Sequence, residues 1–424
     1  MKIHSKRGIS SGTIVFLCLT LGVIAVAFFF LLAISGKDLS EGHETNAGQI
    51  TEALENMDLP DDAEQRLPGE GRPVVILNSE ATPAEPEVKH LTICMAGDVT
   101  APRIIRQTKT TEKGDTDFSD VFVNLNDLFT DADISLATLE TMTDDERDYD
   151  TYNTSPSLLD ALREAGIHYL NLATEHMLDY GDAGLEMTRA ELNIRGINYC
   201  GASGTYHMLS VNGINIAILT YTYGISDAIP ETQDVSGVPF FLLERALSDI
   251  ALARANGANL VIVLPHWGTK NSGEVSESMR ETALQLAKAG ADMIIGSHPN
   301  VVSEMEILKT ERVDGREYET LVCYSLGALL MDARSKDNAA GMVLRTELQY
   351  DSGARQVVFL SNKAVPLYIG QDTADGDRVW RVVNASDSAY LDGLSVDFRE
   401  SALAARTRVE ALAAGLENGN AKTD

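Results

Sequence analysis

Between residues 90 and 350 the chain repeats one arrangement: an apolar run of strand length, a longer segment with helical apolar spacing, and then a glycine. The strand-length runs lie at 90–97, 134–137, 167–172, 214–221, 260–265, 293–296 and 320–325, and the helical patterns at 157–165, 184–195, 242–256 and 278–289. Runs this short, bounded by turn residues, are strands, whereas the spaced patterns are amphipathic helices. Gly166, Gly196, Gly257 and Gly290 follow the helical patterns directly, where a helix C-cap needs a residue that enters the left-handed region without steric cost. Strands that alternate with helices must lie in parallel or mixed sheets with the helices packed on the faces, so the fold class is α/β. Further on, 341–350 and 356–360 flank Asp351-Ser352-Gly353 and read as a hairpin, and 398–416 is an Ala-rich amphipathic helix suited to cover a core or meet a partner. No internal repeat is visible.

The N-terminal part obeys other rules. Residues 13–34 carry no charge, and twenty-two residues of helix at 1.5 Å each span about 33 Å, enough for a hydrocarbon core. Lys2, Lys6 and Arg7 precede this stretch, which keeps residues 1–12 cytoplasmic and sends the remainder outside. The apolar run exceeds the length of a signal-peptide core, so the expectation is an uncleaved single-pass anchor in the cell membrane rather than a segment removed at 33–35. Residues 36–88 are acidic and carry Pro60, Pro68, Pro73, Pro83 and Pro86, which reads as a solvated linker with at most a short helix at 45–58. The main domain is expected at 89–365, with a C-terminal extension at 366–424. Hydrophobic residues at 44% and charged residues at 23% are the balance of a folded chain. The net charge of −29 excludes a nucleic-acid surface and broad adhesion to anionic lipid headgroups. Cys94, Cys200 and Cys323 sit in apolar stretches without C-x-x-C spacing, and with Cys18 they read as small buried hydrophobes.

In a sheet of this kind ligands bind beyond the carboxyl ends of the strands, so polar residues directly after apolar runs are the candidates for chemistry. Asp98, Glu140, Glu175 with His176, His266 and His298 all occupy such positions. The chain has only eight histidines, and three of them fall in this class, which is a concentration that scattered surface histidines would not give. Taken singly, each has an ordinary reading, since an Asp after a strand is commonly a turn former or helix cap and His298-Pro299 could be an extended turn. Taken together, five in register favour one shared site. Carboxylates and imidazoles converging at a sheet edge suit a divalent metal, or acid–base work on a phosphate or amide.

These same segments resemble the CapA family of capsule (poly-γ-glutamate) synthesis proteins. The family's Gly-Asp with an Arg five residues on is matched by Gly97-Asp98 and Arg103, and its Asn-Leu-Glu by Thr138-Leu139-Glu140. Its Leu-Ala-Asn-Asn-His-x-Leu-Asp-Tyr-Gly corresponds to Leu172 through Gly181, and its Gly-Ile-x-Tyr-x-Gly-Ala to Gly196 through Ala202. His266-Trp267-Gly268 is intact, Gly290-Ala291-Asp292 leads to Gly296-Ser297-His298-Pro299-Asn300-Val301, and Tyr324-Ser325-Leu326-Gly327 is followed by Ala328. The family is similar to calcineurin-like metallophosphoesterases. The resemblance therefore implies a sandwich of two mixed sheets flanked by helices, and a role in making, exporting or anchoring a capsule polymer. It implies that Asp98, Glu140 and Glu175 hold a cation, that His266 and His298 complete the set, that His176 is acid or base, and that Arg103 contacts an anion. The expected partners are the membrane and a capsule synthase complex or an anionic polymer.

The departures bear on the metal. Thr174 and Glu175 replace two Asn of the family pattern, Ser297 and Asn300 replace two His, and Ala328 replaces an Asn. A carboxylate at 175 can still ligate a hard cation, whereas Ser297 and Asn300 are poor ligands for a borderline metal. One metal held by some of the five residues remains open, as does a domain without metal that serves as a scaffold for membrane synthases.

Overall fold

The computed structural model describes residues 87–111, 116–204, 206–227, 234–235, 237–312, 314–374 and 377–417. The expected membrane segment at 13–34, Cys18 and the linker up to residue 86 lie outside the described residues. Among the described residues no helix is long and apolar enough to cross a membrane.

The expected alternation is the backbone of the fold. In chain order the elements are β1 (Val88–Val99), α1 (Arg103–Lys109), α2 (Asn126–Phe129), β2 (Ile134–Leu139), α3 (Ser157–Glu164), β3 (Tyr169–Asn171), α4 (Gly181–Ile194), β4 (Asn198–Cys200), β5 (Tyr206–Val211) and β6 (Ile214–Thr222). There follow α5 (Leu243–Ala255), β7 (Leu260–His266), α6 (Glu277–Ala289), β8 (Met293–Ile295), β9 (Met305–Glu311), β10 (Glu317–Cys323) and β11 (Ala328–Leu330). The last are β12 (Ala340–Asp351), β13 (Gln356–Ala374), β14 (Asp377–Asn384), α7 (Ser388–Leu391) and α8 (Val396–Glu417). Gly166, Gly196, Gly257 and Gly290 all have positive φ, as helix stops of this kind require.

The strands form two mixed sheets. The first runs β14-β13-β12-β1-β2-β3-β4, with β11 paired to β1; the second runs β5-β6-β7-β8-β10-β9. In the first, β1 to β4 are parallel and β12 to β14 antiparallel, so the βα half and the hairpin half share β1. The expected hairpin is β12–β13, and β13 continues through residue 365, so residues 366–374 and 377–384 belong to the same sheet.

The core is layered because successive strand residues point to opposite faces. Ile93 and Met95 of β1 meet Ile262 and Leu264 of β7 and Ile216 and Ile218 of β6 between the sheets. Cys94 and Ala96 face the other way, toward Phe129, Leu158 and Leu162. On the far side of the second sheet, Val261 and Val263 pack on Ile250, Ala283 and Leu286. Burying such a side chain is worth about 1.5–3 kcal/mol. Three layers of it hold the carboxyl ends of the parallel strands in place. Helix α8 closes one edge of the inner layer with Ala405, Val409 and Leu416. Cys94, Cys200 and Cys323 are buried and free, and burial pushes each thiol above its ordinary pKa.

Candidate metal centre

Two close backbone approaches shape the site. Gly97 lies against Gly327, and a Cβ on Gly97 would meet the Gly327 carbonyl oxygen at 2.0 Å. That contact lets β11 pair with the end of β1, and Asp98 N–H donates to Gly327 O at 3.1 Å. In the second sheet a Cβ on Gly296 would lie 2.1 Å from Tyr324 O and 2.4 Å from Trp267 Nε1. The segment after β8 is thereby pressed onto the sheet, and His298 and Asn300 adopt positive φ of 94° and 56° as the chain turns.

From these ends the side chains converge. Asp98 is the penultimate residue of β1, Glu140 follows β2, Glu175 and His176 follow β3, His266 ends β7 and His298 follows β8. Ligand atoms of Glu140, Glu175, His266 and His298 lie within 4.8 Å of one another. The two sheets are joined here: His298 N–H donates to Asp98 Oδ2 at 2.9 Å, and His266 Nε2 bonds Glu175 Oε2. His298 Nδ1 is 3.0 Å from Glu175 Oε1, and His266 Nε2 is 3.4 Å from Glu140 Oε1. Asp98 stands at the edge of the group, with Oδ1 at 4.0 Å from His266 Nδ1.

Asp98, Glu140 and His266 are almost wholly buried, yet among the described residues Asp98 Oδ1 and both Glu140 oxygens have no hydrogen-bond partner. Burial pushes the Asp98 carboxyl up to about 8, with the Glu175 charge adding and the His298 N–H and Lys270 opposing. Burial, and then the Asp98 and Glu175 charges, push Glu140 well above the usual carboxylate range. Burial also acts on Glu175, but the hydrogen bond with His266 and the close imidazoles of His176 and His298 outweigh it and hold that carboxyl far below its ordinary value. Burial lowers His266 to about 4 despite Glu175, so its ring is neutral at pH 7. The ionised Glu175 only accepts, which places the proton of His266 on Nε2 and leaves Nδ1 to accept from the Ser297 hydroxyl at 2.8 Å.

These residues fit a divalent cation. Two carboxylates and two imidazoles offer a mixed oxygen–nitrogen set, and buried carboxylate oxygens without partners are groups that a cation would satisfy. Among the described residues these four make one such group; Ser297 serves the His266 ring, while Asn300 Nδ2 donates to His298 O at 3.0 Å and its Oδ1 is buried without a partner there.

Beside the cluster, His176 Nδ1 bonds Asp179 Oδ2 at 2.8 Å and the imidazole stacks on Tyr152 with centroids 3.4 Å apart. Its Nε2 lies 3.3 Å from Glu175 Oε1, off the line of a hydrogen bond. Burial lowers the pKa of His176, but Asp179 and Glu175 outweigh it and bring it to about 9. Arg103 lies apart from the cluster. It is exposed on α1 and directed to the Gln107 side chain one turn on.

Sequence reasoning missed Tyr152 and Lys270. Lys270 Nζ is 3.3 Å from Tyr152 Oη and 3.7 Å from Glu175 Oε1. Neither residue follows an apolar run, and the one signal that could have drawn attention to Lys270 is its position four residues after His266.

The bacterial capsule synthesis protein family PGA_cap matches residues 92–333. The capsule biosynthesis protein CapA of Bacillus anthracis is 27% identical over 285 residues, which is 61% of this chain and 66% of that one. The PGA biosynthesis protein CapA of Bacillus subtilis is 28% identical over 196 residues, 44% of this chain and 49% of that one. The chain thus spans from about half to just under two thirds of the length of the curated relatives it matches. Among solved structures, the NAD nucleotidase of Haemophilus influenzae aligns with a TM-score of 0.43 and 14% identity, over 78% of this chain and 60% of that one. A calcineurin-like phosphoesterase of Bacillus subtilis aligns with a TM-score of 0.38 and 12% identity, over 77% of this chain and 98% of that one.

Proposed function

Because the chain belongs to the bacterial capsule synthesis protein family PGA_cap, we propose that its described domain binds one divalent cation and acts on a cell-surface polymer of the poly-γ-glutamate kind, during its synthesis, export or anchoring. The observation that carries the cation site is the group of buried, unpartnered carboxylate oxygens on Asp98 and Glu140, facing His266 within one cluster. Glu140, Glu175, His266 and His298 would hold the cation, with Asp98 fixing the His298 backbone from behind. The polymer class comes from the relatives and is part of the proposal.

A cation here would polarise a carbonyl or phosphoryl oxygen. The chain supplies the rest. His176, oriented by Asp179 and by the face of Tyr152, is protonated at neutral pH and is placed to give a proton to a leaving group. Ser297 serves Nδ1 of His266 in either protonation state, donating to it or accepting from it, and so holds the ring in position. The reaction class is hydrolysis of an amide or ester link. Residues 13–34 would tether the domain to the cell membrane and place it outside the cytoplasm, near a capsule synthase complex.

The second reading is a scaffold that keeps the fold without turnover, and the observation that favours it is Ser297, Asn300 and Ala328 standing where the family pattern has two His and an Asn. Metal analysis of the purified full chain, followed by assays on a γ-linked glutamate oligomer and on a phosphodiester, separates the two. The proposal expects about one cation per chain, loss of that cation in Glu140→Ala and His266→Ala, and a fall in kcat with metal retained in His176→Asn. A chain that stays metal-free and inert after reconstitution establishes the scaffold instead.

A further inference from the structure

A cleft of about 220 Å³ opens on Glu140, and its wall carries two cationic side chains, Lys270 and Arg334. In a chain with a net charge of −29, two cations beside a carboxylate cluster need an explanation. Neutralising the cluster is one explanation, yet Lys270 Nζ approaches Glu175 no closer than 3.7 Å and donates instead to Tyr152 Oη at 3.3 Å. The ammonium lies 5.6 Å from the centre of the Tyr152 ring, and its side chain is 39% exposed. An ammonium has three donors, and one is used. The loop that carries it is braced: Asn338 Nδ2 donates to Asn271 Oδ1 at 3.1 Å and to Asn300 O at 3.2 Å, which ties the residue after Lys270 to the turn after β8. Arg334 stands farther out, 83% exposed and paired with Asp332 at 2.7 Å.

We propose that Lys270 binds an anionic oxygen group of the ligand, a carboxylate or a phosphate, beside the carboxylate–imidazole cluster, with Arg334 as an outer contact. This deepens the proposed function and rests on it in one respect: a cation at the cluster removes the repulsion that the carboxylates would otherwise exert on an anion. The geometry suits a point charge on a braced loop, which selects for charge at one position rather than for the shape of the group around it. Lys270 is thus a specificity-determining residue, separate from the groups that hold the cation.

The test is calorimetric binding to the full-length chain loaded with Mn²⁺, using a short γ-linked glutamate oligomer and, separately, inorganic phosphate. Lys270→Gln should weaken at least one probe ten-fold or more, Lys270→Arg should restore part of the loss, and Arg334→Gln should weaken the same probe a few-fold. Lys309→Gln, on the exposed face of β9, should change neither. Loss of the oligomer alone identifies a carboxylate ligand, and loss of phosphate alone a phosphoryl ligand. Wild-type chain that binds neither probe overturns the proposal. So does a Lys270→Gln chain that binds both as before, with only its Mn²⁺ affinity raised, because Lys270 would then serve to neutralise Glu175. Thermal stabilisation by Mn²⁺ is measured on the same samples. If it is absent while Lys270-dependent binding persists, the cation site falls and the anion contact stands; if it is present while binding ignores Lys270, only the anion contact falls.

Discussion

Replacing Glu140 with methionine should stabilise the chain when no cation is present and abolish the stabilisation that a cation brings. Both Glu140 oxygens are buried without a partner, and the carboxyl is held well above its usual pKa by burial and by the Asp98 and Glu175 charges. A buried polar group left unsatisfied costs about 1–3 kcal/mol, and an apolar side chain of similar length removes that cost without opening a cavity. A folded unit of roughly 330 residues unfolds with an entropy near 0.7 kcal/mol per kelvin, so a gain of about 1–3 kcal/mol raises the midpoint by about 1–4 °C. The wild type moves the other way in its response to metal. A cation at one hundred times its Kd contributes about 2.7 kcal/mol, or about 4 °C on the same scale. The assay is a thermal melt of the full chain after chelation and again with Mn²⁺ or Zn²⁺, for wild type and Glu140→Met. The reasoning is refuted if the variant melts several degrees lower than the wild type without metal and both shift equally with it. Glu140 would then be a structural residue whose oxygens are satisfied in some other way.

Three further outcomes are expected. The chelated chain should lose stability as pH rises from about 4 to about 8, because Asp98 titrates near 8 in the folded state and near 3.9 when unfolded. Between those values the native state keeps a proton on Asp98 that the unfolded state has released, and Glu140 acts in the same sense; His176, raised to about 9, extends the fall from about 6.5 to 9, whereas His266, lowered to about 4, opposes it between about 4 and 6.5. Urea midpoints that rise between about pH 6.5 and 8 would contradict it. Ser297→Ala should weaken cation affinity by about 10–100-fold, as measured by calorimetry, and lower the chelated midpoint by about 1–4 °C, since it removes the hydroxyl that orients His266 and leaves the buried Nδ1 without a partner. Gly296→Ala should cost about 1–3 kcal/mol or more, because its methyl would enter the space of Tyr324 O and Trp267 Nε1; a thermal midpoint equal to wild type would show that β8 and β10 can separate freely.

Much of the fold was legible because local rules and the tertiary structure agree. Helices expected at 157–165 and 278–289 occur as Ser157–Glu164 and Glu277–Ala289, and the strand expected at 260–265 extends by only one residue, to His266. Short elements were missed for a physical reason. Strand β11 has three residues and holds its place through pairing with a distant partner, Asp98 with Ala328. Helix α1 follows Pro102 without a side-chain cap, so its start carries no local signal beyond the proline. The expected division at 365 falls inside β13, which runs on to Ala374 because β14 pairs with it beyond that point.

The positions of Glu140, Glu175, His266 and His298 at strand ends or within four residues of them were written in the local pattern, since a parallel strand ends near where its apolar run ends. Which atoms meet there was decided by the two sheets packing against each other. The His298 amide reaches Asp98 across 200 residues of chain, and that contact turns one Asp98 oxygen away from the cation set. The same packing brings Lys270 and Tyr152 to the cleft and leaves Arg103 on the outer face of α1 beside Gln107. A side chain's direction depends on loop paths and inter-sheet registry, which are long-range quantities. Periodicity measures only what a residue shares with its near neighbours.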